Sequence, residues 1–176
     1  MPARAAVRRS SATAGRRSLS FESLEDRRVL AAVPTGFTES IIASNLTSPI
    51  AMTAEPSGDR LWVAFQDGRL GVIEDDVMNP QAVYTLPCDG SGERGFQGIT
   101  LDPNFENNGY IYVYYTAAAP SSHNRLSRLT VDPTTENTIL AGSEVVLLDL
   151  PLFSELPTNQ SPIWHMGGAI HFLQDG

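Results

Sequence analysis

The 176-residue chain contains no lysine and a single cysteine, Cys88. One cysteine forms no internal disulfide and no cysteine-based metal site, so cysteine usage leaves the cellular compartment open. No His lies close to Cys88 in sequence to activate it, and the thiol reads as a small buried or half-buried side chain. No apolar run approaches the roughly 20 residues that a membrane-spanning helix needs. No convincing helical period runs through the body of the chain. Basic charge comes from 12 Arg against 20 acids, giving a formal net charge of −8. Seven of those Arg, with three acids, fall in the first 28 residues, which leaves five Arg and 17 acids for the remainder. An acidic body of this kind excludes a nucleic-acid surface, which needs clustered positive charge to replace counterions.

The basic tail is rich in Arg, Ala and Ser and has no apolar face to bury. Three readings suit that composition: a nucleic-acid arm, a transit peptide, or the charged lead of an export signal. Val29-Leu30-Ala31-Ala32-Val33 is too short for a standard apolar export core. Phe21-Glu22-Ser23-Leu24-Glu25-Asp26-Arg27-Arg28-Val29-Leu30 resembles a short N-terminal motif of exported bacterial proteins. Residues 1–33 are therefore read as a removable or disordered targeting segment, which implies an exported protein, and 34–176 as the folded domain.

From Pro34 onward the signals are short strands between turns. The candidates are Phe37–Ala43, Ile50–Ala54, Leu61–Phe65, Leu70–Ile73, Ala82–Leu86, Gly98–Leu101, Tyr110–Tyr115, Arg125–Val131 and Glu144–Leu150. Gln66-Asp67-Gly68-Arg69 is a hairpin signal, and Glu74-Asp75-Asp76 a solvated loop that lacks the oxygen spacing of a calcium site. Pro151–Pro162 reads as a long loop. The chain also repeats itself. Ile50–Pro56 followed by Leu61–Ala64 has the same plan as Gly98–Pro103 followed by Tyr110–Tyr114, and a third copy opens at Gly168–Gly176. Taking Pro56, Pro103 and Gln174 as equivalent, the spacings are 47 and 71 residues. The first suits a four-stranded propeller blade and the second a blade with an inserted loop. The expected fold is all-β: a partial β-propeller with two blades and the start of a third. Because a closed propeller needs at least four blades, the chain is expected to be the N-terminal part of a longer protein.

The stretch that organises the domain is Gly92-Glu93-Arg94-Gly95-Phe96-Gln97-Gly98-Ile99-Thr100-Leu101-Asp102-Pro103-Asn104-Phe105, continuing into Gly109–Tyr115. A glycine-rich turn, an apolar strand, an Asp-Pro-Asn loop and a tyrosine-rich strand follow one another. In that order they resemble the second blade of the glucose/sorbosone dehydrogenase family, the soluble quinoprotein sugar dehydrogenases. The resemblance covers about Phe37 to Gly176 and implies a six-bladed propeller that oxidises a sugar hydroxyl, with pyrroloquinoline quinone (PQQ) and calcium held by the full-length protein. It also implies that this part alone holds neither, because the family's calcium ligands and most of its quinone-binding basic residues lie in later blades.

A second motif is Ile163-Trp164-His165-Met166-Gly167-Gly168. Taken alone, His165 reads as a structural or surface histidine; the resemblance gives it the role of general base toward the sugar hydroxyl. Glu93 matches a family position that faces substrate and cofactor, and equally reads as a loop acid paired with Arg94. The family's glucose dehydrogenases carry an amide at that position and an acid where Trp164 stands, which puts glucose itself in doubt. His171 alternates with Ile170 and Phe172 and reads as structural; His123 reads as part of a surface turn. No metal ligand set is assigned. The partner is a small-molecule sugar, with no nucleic acid, no membrane-spanning segment and an unidentified electron acceptor. The alternative is a non-catalytic propeller of the hedgehog-interacting type, since fold alone does not establish chemistry.

Mass spectrometry of the protein recovered from its native host is expected to show a chain that starts near or beyond Val29. Recovery of the full-length chain with a protease-resistant tail would overturn the targeting-segment reading.

Overall fold

The computed structural model describes residues 33–135, 137–152 and 166–173. The chain divides into two compact units, Met1–Glu39 and Ser40–Gly176. In the first, the described residues 33–39 make a turn closed by the Phe37 N–H donating to the Pro34 carbonyl at 3.0 Å. The expected targeting segment lies outside the described residues except for Val33. The same holds for residues 153–162 of the expected loop, for Trp164 and for His165.

The second unit carries two antiparallel sheets. The first is built from β1 (Pro49–Ala54), β2 (Arg60–Phe65) and β3 (Arg69–Glu74), followed by two short strands, β4 (Val77–Met78) and β5 (Tyr84–Thr85), which both pair with β3. The second runs β6 (Phe96–Leu101), β7 (Tyr110–Ala117), β8 (His123–Thr130) and β9 (Val145–Pro151), each strand paired with its sequence neighbours. Sequential antiparallel strands in two adjacent four-position sheets are the blades of a propeller. The repeat holds in detail. Pro49 and Phe96 open equivalent strands 47 residues apart, and each innermost strand has its register shift at the same place, Pro49/Ala51 and Phe96/Gly98.

Period-two alternation decides which side chains meet. In β2, Trp62 and Ala64 enter the core between the blades, while Val63 and Phe65 turn to the opposite face and join Ile73. In β7, Ile111, Val113 and Tyr115 enter the same inter-blade core, where they meet Phe96, Ile99, Leu101 and Leu129. Trp62 is fully buried, and its ring lies edge-on to Phe105 at 6.3 Å. Its indole N–H donates to Glu55 Oε1 at 2.8 Å, and the other oxygen of that buried carboxylate accepts from Arg60 Nε at 3.0 Å. A buried indole needs such an acceptor, and a buried carboxylate needs such donors.

The turns follow their chemistry. Asp75 and Asp76 both take positive φ, 50° and 59°, and join β3 to β4 as a tight two-residue hairpin. Among the described residues no group of three or more His, Cys, Asp or Glu could hold a metal ion. Asp102 bonds its own loop, accepting from the Asn104 N–H and from Asn108 Nδ2, each at 2.9 Å. A single helical turn, α1 (Phe105–Asn108), is closed by Gly109 in the left-handed region.

Three sequence expectations are corrected. No strand forms over Phe37–Ala43, where Phe37 and Ile41 are 73% and 83% exposed. Strand-forming residues become a strand only against a partner, and no strand of either sheet pairs with Phe37–Ala43. The expected strand Ala82–Leu86 shrinks to the two residues of β5, because the chain between β4 and β5 touches β3 only at its ends, where the Asn79 N–H donates to the Val72 carbonyl and the Val83 N–H to the Leu70 carbonyl, each at 2.8 Å. His123 opens β8 and pairs with Ala117 instead of sitting in a turn. It is half-buried, with Nδ1 2.7 Å from the Ser121 carbonyl. The third repeat shows no strand in its described residues, 168–173. His171 is exposed there, while the Phe172 ring stands edge-on to Tyr112 at 5.0 Å. Among the described residues no helix is long and apolar enough to cross a membrane.

Cys88 is half-buried, bridges to Ala117 and packs against the inter-blade core. Burial first, and then the charges of Asp67, Glu144 and Asp89, push its thiol up to about 12. A thiol raised in this way favours the folded state until pH passes the unfolded value near 8.5, and that contribution is lost as pH climbs toward the folded value. A thiol kept protonated in this way is a poor nucleophile. Labelling by a disulfide reagent is therefore expected to be slow in the native protein and fast in denaturant. Rapid native labelling would contradict the burial.

Candidate active site

One open groove gathers the two motifs singled out in the sequence. It is lined by Ile50, Gln66, Gly92, Glu93, Gln97, Met166 and Gly167, and its volume is about 420 Å³. The β2–β3 turn supplies Gln66, the connection between the two blades supplies Gly92 and Glu93, and the residues just before the third repeat supply Met166 and Gly167. All of these arrive from the same end of the sheets, because innermost strands β1 and β6 begin there.

The groove exists because backbones pass one another without side chains between them. A Cβ on Gly95, whose φ is +122°, would lie 2.0 Å from the Gln66 carbonyl oxygen. A Cβ on Gly98 would lie 1.8 Å from the Gly168 carbonyl oxygen. Both distances are far inside van der Waals contact, so these crossings demand glycine. Main-chain bonds run along the same line. The Phe96 N–H donates to the Gln66 carbonyl at 3.3 Å, and the Thr116 N–H to the Gly95 carbonyl at 2.8 Å.

Two glutamines fasten the turn that carries Glu93. Gln66 Nε2 donates to the Gly92 carbonyl at 2.6 Å and to the Arg94 carbonyl at 3.2 Å. Gln97 Nε2 donates to the Glu93 carbonyl. The Glu93 side chain is left on the exposed rim of the groove. Arg94 turns inward and is buried, with Nη1 2.6 Å from Asp89 Oδ2.

Across the groove, Met166 is buried and its carbonyl accepts from the Tyr114 hydroxyl at 3.4 Å. His165, the expected base, lies outside the described residues, as does Trp164. The structure thus brings Glu93 together with the two residues that follow His165 in sequence. The reading of the sequence missed Gln66 and Gln97. Their bonds go to backbone carbonyls, one of them 26 residues away, and such bonds leave no mark on sequence spacing. No basic side chain and no cluster of acids lines the groove among the described residues.

The model of the Glucose / Sorbosone dehydrogenase family matches residues 46–176. Quinoprotein glucose dehydrogenase B of Acinetobacter calcoaceticus is 29% identical over 90 residues, which make up 49% of this chain and 19% of that protein. Among solved structures, the PQQ-bound aldose sugar dehydrogenase of Streptomyces coelicolor superposes with a TM-score of 0.54 at 23% identity, over 62% of this chain and 32% of the other. The apo-form of the soluble aldose sugar dehydrogenase of Escherichia coli gives 0.54 at 12% identity, with the same coverage. At these identities the structural likeness bears on the fold. The chain spans about a fifth of the length of the sequence relative and about a third of each structure.

The glycine crossing yields a direct test. Gly98→Ala drives a methyl group into the Gly168 carbonyl and is expected to cost about 1–3 kcal/mol, the usual range for overpacking. Gly90→Ala, whose Cβ would meet only the Gln66 oxygen at 3.6 Å, is expected to stay within about 0.5 kcal/mol. Urea denaturation midpoints decide, and equal effects for the two substitutions would remove the crossing from the account.

Proposed function

Because the chain belongs to the glucose/sorbosone dehydrogenase family, we propose that it forms one side of the sugar-oxidising site of a quinoprotein dehydrogenase, with His165 as general base. The observation that carries this reading is the groove in which the Glu93 turn faces Met166 and Gly167. The sequence sets His165 immediately beside that wall.

In this reading an imidazole nitrogen of His165 takes the proton of the sugar hydroxyl undergoing oxidation. An imidazole suits the task because it is neutral and basic near neutral pH. The Glu93 carboxylate accepts hydrogen bonds from neighbouring sugar hydroxyls, which a carboxylate does with either oxygen. Gln66 and Gln97 hold the turn so that this acceptor stays in place while the sugar binds. PQQ, held by the full-length protein, would supply the hydride acceptor for the sugar carbon. Among the described residues the groove lining has no basic side chain for the PQQ carboxylates and no group of acids for calcium, and the 176 residues are expected to give no turnover by themselves. The proteins compared above are named as dehydrogenases, and nothing in the groove favours the non-catalytic binding module.

Dye reduction with a panel of aldoses, in the presence of PQQ and calcium, tests the proposal on the protein as produced in its native host. His165→Ala is expected to lower the rate by on the order of 10²–10⁴, the usual contribution of a general base. Near-normal turnover by that variant would remove His165 from the mechanism, and turnover by the 176-residue chain alone would overturn the requirement for further residues.

A further inference from the structure

The turn that carries Glu93 has little of its own to hold it. Gly90, Ser91, Gly92 and Glu93 are all exposed, and Gly92 and Gly95 take positive φ. A segment with so few buried apolar contacts opens locally unless something ties it down. Besides the Gln66 and Gln97 bonds to its carbonyls, a polar cluster at its base ties it down. The Asp89 N–H donates to the Thr116 carbonyl at 2.9 Å, which anchors the start of the turn to the end of β7. Asp89 Oδ1 accepts from the Ser91 N–H at 3.1 Å. Asp89 Oδ2 accepts both from Arg94 Nη1, at 2.6 Å, and from the Ser122 hydroxyl in the β7–β8 connection. The two charged side chains are only 7% and 15% exposed.

We propose that Asp89, Arg94 and Ser122 form a positioning clamp, which fixes the Glu93 turn at the mouth of the groove and so sets how tightly the sugar is held. Physical economy supports this over a role in stability. A buried ion pair offsets a desolvation cost comparable to its own attraction, and apolar side chains of similar size serve stability as well or better. What the pair adds is geometry. It closes the two ends of a glycine-rich turn onto one carboxylate and ties that carboxylate to a third segment through Ser122. Hydrogen bonds from Ser122 first, and then from Ser91 and Arg94, hold the Asp89 carboxyl well below the usual range. A depressed carboxyl keeps its stabilising contribution above the unfolded value near 3.9 and loses it only as pH falls below that. The clamp therefore stays closed across the neutral range.

The assignment to sugar binding rests on the dehydrogenase reading, so the test has one arm that needs no activity. With no lysine in the chain, trypsin cuts the folded body only after Arg60, Arg69, Arg94, Arg125 and Arg128. In the full chain the Arg94–Gly95 bond is expected to resist cleavage. Asp89→Asn is expected to speed cleavage there by about tenfold, the least that a lost charge-assisted hydrogen bond does to a local opening equilibrium, with the other four sites unchanged. Arg94→Lys, which keeps the charge and the cleavage site, is expected to stay within about threefold of the parent. In the protein from the native host, Asp89→Asn is expected to raise KM for the aldose several-fold while kcat is retained. Unchanged cleavage after Arg94, or equal acceleration at all five sites, would overturn the clamp. A loosened turn with unchanged KM would overturn its assignment to the groove. If the parent oxidises no sugar, the dehydrogenase reading fails, and the cleavage pattern alone decides the clamp.

Discussion

The arrangement depends on backbone meeting backbone at the inner ends of the sheets. Gly95 crosses the Gln66 carbonyl and Gly98 crosses the Gly168 carbonyl, each at a distance that no Cβ could tolerate. These contacts decide how close the innermost strands come and therefore how wide the groove is. They also determine what can line it, since a segment without side chains presents its carbonyls and N–H groups instead. Gln66 exploits this by bonding the carbonyls of Gly92 and Arg94 from the neighbouring blade. The groove is thus a product of residues that have no side chain at the point of contact.

Outward from that line, stability comes from ordinary burial between two pleated sheets. Trp62, Leu70 and Val72 of one blade meet Phe96, Ile111, Val113 and Leu129 of the other, all of them essentially excluded from water. Polar groups caught in this layer are answered in place: Trp62 and Arg60 by Glu55, Tyr115 and Ser127 by Glu144. Function and stability are therefore spatially divided. The glycine-rich end carries the exposed polar turn, and the apolar layer behind it supplies the rigid support that such a turn needs.

Much of the blade pattern could be read from the sequence because β-branched and aromatic residues alternate without interruption in the central strands, as in Leu61–Phe65 and Tyr110–Tyr115. The 47-residue repeat was legible for the same reason, and the structure carries it down to the matching register shifts in β1 and β6. Where the pattern depended on a partner, the reading failed. Phe37–Ala43 has strand-forming residues but pairs with no strand of either sheet, and the outer position of the first blade is divided between β4 and β5. Of the candidate site, Glu93 was visible through the glycines that flank it, and the sequence alone puts His165 next to Met166. Gln66, Gln97 and the Asp89–Ser122 contact were not visible. Each joins segments that only the fold brings together, and amide or hydroxyl donors to distant acceptors have no characteristic spacing.

The two faces of β7 carry a last consequence. Ile111, Val113 and Tyr115 look into the inter-blade core, while Tyr112 and Tyr114 look toward Phe172 and the Met166 carbonyl. A slip of β7 by one residue along β6 or β8 would exchange these sets completely. Tyr112 and Tyr114 would enter the layer that Ile111 and Val113 now fill, and the hydroxyl that bonds the Met166 carbonyl would leave its place. Tyr112 would also leave Asp102, which accepts from its hydroxyl at 3.1 Å. The strand is therefore proofread from both sides at once, and an error of a single step is penalised in the core and at the groove together.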